Sequence, residues 1–210
     1  MEDSKKILLI ISAIISVAII SITYAFFNGQ TTDNISIPYN ASSGGTDVFK
    51  FSTDNDLSLS ATTSNFGLGN GNLVSEVTPS ATLIANTSNS SASNTYQLYL
   101  NITTNTFIYT KNSSTPELIL TITDPNNNTI TSLGSLSYVT SGGVSGFDIT
   151  TYSGLLQIAS NYAISSTNTT TGVTQTWHIK VTYINLATDQ IANEGKEIDA
   201  KVIIQKEALS

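Results

Sequence analysis

Hydrophobic and polar positions divide this chain into two unlike parts. Residues 7–27 form an uncharged, nearly continuous apolar run directly after Lys5 and Lys6. From residue 48 onward, apolar and polar residues alternate with period two in short stretches, the pattern of strands with one wet face. The clearest is 177–183, with Trp177, Ile179, Val181 and Tyr183 on one side and His178, Lys180 and Thr182 on the other. Residues 96–102 place Tyr96, Leu98, Leu100 and Ile102 on one face, and 198–204 do the same with Ile198, Ala200, Val202 and Ile204. Further strands are predicted at 48–51, 56–60, 74–84 with a break at Pro79, and 117–123.

Turn signals lie between these runs. Asp124-Pro125-Asn126-Asn127-Asn128 combines an Asp that can accept from the backbone two residues on, a Pro that fixes φ, and Asn residues that tolerate the left-handed region. It predicts a hairpin in which 117–123 returns as 130–136. Adjacency predicts a second antiparallel pairing, of 177–183 with 198–204. Loops are expected at 40–47, 65–72, 86–94, 141–146 and 168–172. Residues 107–109 read as a kinked continuation of 96–102, and 155–162 as either a short helix or a strand led in by Gly154. About seven to ten short strands separated by turns favour an all-β fold. The expected architecture is an antiparallel, jelly-roll-like β-sandwich preceded by one N-terminal hydrophobic helix.

The apolar run is long enough to cross a bilayer, since twenty-one helical residues rise about 30 Å. Lys5 and Lys6 precede it and the next cation is Lys50, so the N-terminus is expected inside and residues 28–210 outside. The run fits two readings, an uncleaved single-pass anchor or a long signal peptide with Thr23-Tyr24-Ala25 as its small-x-small site. The organisation read from this is 1–27 as signal peptide or transmembrane anchor, 28–47 as extended linker or first strand, and 48–210 as the β-sandwich domain.

The run Thr23-Tyr24-Ala25-Phe26-Phe27-Asn28, at the end of a long apolar stretch, resembles the signal-peptide end of the TasA/camelysin family of Gram-positive surface proteins. That resemblance implies cleavage after Ala25 by a dedicated signal peptidase of the SipW type, with Thr23, Ala25 and Phe26 at the site. It also implies a secreted or surface β-sandwich that can assemble into extracellular fibres. In such an assembly the freed segment 26–37 completes a neighbour's sheet by strand addition, with Phe26, Ile35 and Ile37 as its anchors. The chain is richer in Asn, Ser and Thr and poorer in Lys than the best-known members of that family.

Composition agrees with an exported β-protein. Charged residues make up only 11% of the chain, so its solubility rests on hydroxyls and amides, while nine Tyr and one Trp mark it as core-forming. The net charge of −7 and the lack of any Arg argue against a nucleic-acid partner. There is no cysteine, which removes thiol chemistry and Cys-based zinc sites.

Candidate chemistry is sparse. The single histidine, His178, falls on the outward face of its strand with no orienting carboxylate beside it in sequence. Asp54-Asn55-Asp56 begins like a calcium loop, but Ser58 and Asn65 stand where that loop needs ligands. No nucleophile elbow, phosphate loop, zinc-protease motif or dinucleotide fingerprint occurs, so neither an enzyme nor a cofactor is expected. Sequons occur at Asn34, Asn40, Asn86, Asn89, Asn101, Asn112, Asn127 and Asn168. The function expected is an extracellular surface or matrix structural protein that can self-associate by strand addition. The alternative is a membrane-anchored, carbohydrate- or ligand-binding adhesin module.

Overall fold

The computed structural model describes residues 47–206, apart from 54–55, 63–69 and 89. The chain divides into the units Met1–Asp33 and Asn34–Ser210, and every described residue belongs to the second. Among the described residues no helix is long and apolar enough to cross a membrane. The expected N-terminal helix falls in residues 1–46, outside the described residues.

The fold is all-β. In chain order the strands are β1 (Val48–Ser52), β2 (Leu57–Ser60), β3 (Leu73–Val77), β4 (Ser80–Ile84), β5 (Ala92–Asn105), β6 (Leu118–Thr123), β7 (Tyr138–Ser141), β8 (Val144–Asp148), β9 (Gly154–Ser166), β10 (Val173–Thr176), β11 (His178–Tyr183) and β12 (Glu197–Gln205). They form three antiparallel sheets, ordered β1-β4-β10, β3-β11-β6-β8-β7 and β2-β12-β5-β9.

The first two sheets share a bent ladder. β3 and β4 are separated only by Thr78 and Pro79, and β10 and β11 only by Trp177. β3 pairs with β11 and β4 with β10, so residues 73–84 run antiparallel to 173–183 through both sheets. At the bend the Trp177 N–H donates to the Pro79 carbonyl at 2.9 Å. Proline has no N–H to return the bond, so the ladder is open on one side where the strands change direction.

Buried residues from all three sheets belong to one core, including Leu57 and Leu100 from one sheet, Leu83 from the second and Leu120 and Val181 from the third. Along β11 the alternation holds, with Ile179, Val181 and Tyr183 fully buried and His178 exposed. Thr182 breaks it, being buried on the opposite face. Trp177 lies just before the strand and is 1% exposed. It stands edge-on to Tyr162 at 4.9 Å between centroids, and Tyr162 in turn meets Tyr96 at 5.6 Å. Phe49 and Phe51 of β1 also close on Tyr96, at 6.3 and 6.2 Å. This aromatic cluster fixes the bend against the β5–β9 pair.

Several expectations change. Residues 117–123 do not return as a hairpin with 130–136. β6 is bounded instead by β11 and β8, and the turn at 124–128 closes only on an isolated bridge between Thr123 and Thr129. The expected pairing of 177–183 with 198–204 also fails. Both sides of β11 are taken by β3 and β6, while β12 lies in another sheet between β2 and β5. Residues 184–196 therefore cross between sheets rather than turn back, since adjacency in sequence governs pairing only in part.

Three local readings are corrected as well. Residues 92–94, read as loop, already belong to β5, whereas 107–109 form no strand and Phe107 packs into the core. The stretch 141–146 is not a long loop but a tight β7–β8 turn, with Gly142 and Gly143 both at positive φ (53° and 78°), as a two-residue hairpin turn requires. The ambiguous 155–162 is a strand, part of the thirteen-residue β9.

Candidate functional site

The most unusual feature is a buried carboxylate. Glu117, just before β6, has no exposed surface, and among the described residues no cation pairs with it. A lone charge in such a place is tolerated only when donors surround it. Its Oε1 accepts from the Thr110 backbone N–H at 2.6 Å and from the Thr110 hydroxyl at 2.7 Å. Its Oε2 accepts from Gln190 Nε2 at 2.6 Å, Asn193 Nδ2 at 3.1 Å and the Tyr183 hydroxyl at 3.4 Å.

The donors are themselves held. Gln190 Oε1 accepts from the Leu186 N–H at 2.9 Å. Asn193 spans the Ile108 peptide, accepting from its N–H and donating to its carbonyl. It sits in a short 3-10 turn, Ile191–Asn193. Phe107 covers Tyr183 at 4.7 Å between ring centroids. Burial, and after it the Glu117 charge, pushes the Tyr183 hydroxyl well above its ordinary value against opposing hydrogen bonds from Asn193 and Gln190. Tyr183 therefore acts here as a neutral donor. Among the described residues every buried side-chain polar atom has a partner. The cluster joins the β5–β6 connection to the β11–β12 connection. With its oxygens already engaged by donors from both connections, the carboxylate ties them together through hydrogen bonds.

No motif pointed to this cluster. Its only trace in the sequence is a single acid set directly before an apolar strand, which reads equally well as a solvated strand end. Thr110, Gln190 and Asn193 come from loops, where sequence gives no spacing rule.

A second polar contact sits at the bend. Trp177 Nε1 donates to the Tyr96 hydroxyl at 2.8 Å, and that hydroxyl donates to Gln175 Oε1 at 3.0 Å. Burial pushes the Tyr96 hydroxyl up to about 12, with Trp177 opposing.

His178 does have a carboxylate neighbour, supplied by folding. Its Nδ1 lies 3.0 Å from Oε1 of Glu76 on the adjacent strand β3. Both side chains are nearly half exposed, at 49% and 43%, so water screens the pair. His178→Ala is therefore expected to change the unfolding free energy by less than about 1 kcal/mol, measured by denaturant titration.

The turn read at 124–128 is present and well bonded. Asp124 Oδ1 accepts from the Asn126 N–H at 2.9 Å and the Asn128 N–H at 2.8 Å, while Asn127 takes a positive φ of 64°. Burial pushes the Asp124 carboxyl up, but the bonds from Asn128 and Asn126 outweigh it and leave it below its ordinary 3.8. A lowered carboxyl stabilises the folded state above its unfolded value and loses that effect as pH falls through the folded one. The advantage of the native protein over Asp124→Asn is expected to be full at neutral pH and to vanish well below 3.8. Unfolding midpoints measured across an acid series check this.

Three sequons are built into turns. The side-chain oxygens of Asn86, Asn112 and Asn168 accept the backbone N–H of Ser88, Ser114 and Thr170, two residues on. Turn formation by itself accounts for Asn at these positions. Among the described residues no group of three or more His, Asp or Glu is placed to hold a metal. Of Asp54-Asn55-Asp56 only Asp56 is described, and its carboxylate lies 3.7 Å from the Lys201 ammonium.

The residues assigned to processing and strand addition, Thr23, Ala25, Phe26, Ile35 and Ile37, lie outside the described residues. Comparison with family models, characterised proteins and solved structures returned no match.

Proposed function

We propose that this chain is an exported structural protein of a bacterial surface or extracellular matrix, with a jelly-roll-like antiparallel β-sandwich as its body. The single observation that carries the reading is an uncharged apolar run, 7–27, set before an all-β domain built on one core. The bent ladder supports the sandwich reading, because it makes two of the sheets one continuous layer against the third. The sheet ends support association. Among the described residues, Val48, Val74, Tyr138, Leu155 and Val173 are exposed large hydrophobic residues, and each lies on a terminal strand of its sheet. Terminal strands offer unpaired main-chain groups to an incoming extended peptide.

In this reading residues 7–25 direct the chain into the membrane with the N-terminus inside, and a signal peptidase cuts after Ala25. The freed segment then adds to a neighbouring copy through Phe26, Ile35 and Ile37. No catalytic or cofactor role is part of the proposal. The test is the N-terminus and the assembly state of protein recovered from its native cells. A chain beginning at Phe26 that sediments as polymers, and stays monomeric when Phe26, Ile35 and Ile37 are all changed to Asp, fits the proposal. Mature protein that remains monomeric under crowding removes the assembly step. A chain beginning at Met1 makes it a single-pass anchored domain.

A further inference from the structure

The Glu117 cluster holds more than a structural carboxylate needs. One oxygen touches the hydroxyl of half-buried Thr110, the other touches a side-chain amide, and the acid and the amide are shut from water: Glu117 has no exposed surface and Gln190 is 3% exposed. A carboxylate between an alcohol and an amide can take the proton of the first and give it to the leaving nitrogen of the second. The Gln190 carbonyl already accepts from the Leu186 N–H at 2.9 Å, a donor placed where negative charge would develop during attack.

We propose that Thr110 and Gln190 become joined by an intramolecular ester bond, with Glu117 transferring the proton between them. Thr110 Oγ1 attacks Cδ of Gln190 as Glu117 takes the hydroxyl proton. The new Oγ1–Cδ bond forms and the carbonyl oxygen carries the transient negative charge. When the carbonyl re-forms, the Cδ–Nε2 bond breaks with its electron pair on nitrogen. Glu117 returns the proton to that nitrogen, and ammonia leaves. No oxidant, metal or second substrate is needed, and the carboxylate ends as it began.

Asn193 is the competing amide, and distance favours Gln190 over it: its nitrogen lies 2.6 Å from the carboxylate, against 3.1 Å for Asn193, while both amides are held at each end by backbone groups. The bond would fasten the β5–β6 connection to the β11–β12 connection. It is independent of the export reading, since it needs only the folded chain.

The test is the intact mass of the purified full chain under denaturing conditions, followed by proteolysis and fragment sequencing. A mass below that of the sequence by one ammonia, with Thr110 and Gln190 recovered in one linked peptide pair, is expected. A full-length mass overturns the proposal. So does loss of ammonia without that linked pair, as a succinimide at Asn70-Gly71 would give, or a link made to Asn193 instead. Thr110→Ser keeps the hydroxyl and is expected to keep the link, whereas Thr110→Val restores the full mass while the β-sheet circular dichroism is retained. A mass deficit that persists in Thr110→Val overturns the assignment.

Discussion

Glu117→Leu is expected to destabilise the protein by about 3–5 kcal/mol, because several buried donors lose their acceptor at about 1–3 kcal/mol each. Leucine fits an apolar interior, so lost hydrophobicity is not the cause. The cost comes from the donors left behind. The Thr110 N–H, the Gln190 and Asn193 amides and the Tyr183 hydroxyl all point at the carboxylate, and an unmet buried donor costs about 1–3 kcal/mol. Some would turn to the Ile108 and Ile184 carbonyls that Asn193 and Gln190 already contact, which keeps the total below a simple sum. Glu117→Gln preserves the shape yet turns one acceptor into a donor facing donors, so it too should be less stable than the native protein. Chemical unfolding of the three proteins, compared by midpoint at equal slope, checks the order.

Trp177→Ala is the second large effect, about 3–5 kcal/mol for truncating a large buried aromatic. The site cannot collapse easily, because Trp177 is held between Tyr162 and the Tyr96 hydroxyl, and its own backbone N–H carries the bond across the bend to Pro79. Trp177→Phe separates the contributions. It keeps an aromatic ring in place and loses the indole donor together with the second ring, so it should cost about 1 kcal/mol for the hydrogen bond plus a smaller cavity cost, well short of the alanine variant. If Trp177→Phe proves as damaging as Trp177→Ala, the hydrogen bond rather than the packing holds the bend. Thermal unfolding followed by near-ultraviolet circular dichroism reads both variants.

Strand existence was legible in the sequence where the alternation is long and unbroken, but not at 155–162, where helix and strand both fitted. The period-two pattern of 177–183 placed Trp177, Ile179, Val181 and Tyr183 inward, and all four are buried. The break at Pro79 was legible too, because a residue without an N–H interrupts a ladder whatever surrounds it. Pairing was not legible. Whether β6 meets its sequence neighbour or β11 depends on which of several compatible strands arrives at its edge, and alternation is alike in all of them. The ends of β5 were misjudged for a related reason. Ala92 to Asn94 are small or polar residues that look like loop, yet they pair with Ile164–Ser166 of β9, and an existing ladder can carry residues of poor strand propensity. The Glu117 cluster was hidden because its partners come from two loops about seventy to eighty residues apart in sequence, joined only by the fold. The same holds for Glu76 beside His178.

The bent ladder also sets an order of events. Residues 73–84 have their partners at 173–183, and β2 finds its partner only in β12. Contacts this distant in sequence slow folding, since a long loop must close before they form. While the chain is being made, β4 cannot complete its pairing until residue 176 has emerged, β3 must wait until residue 183, and β2 until residue 200. Nearly the whole polypeptide therefore exists before its sheets can close, leaving an interval in which early pairs such as β1–β4 and β5–β9 wait with an edge still unmet.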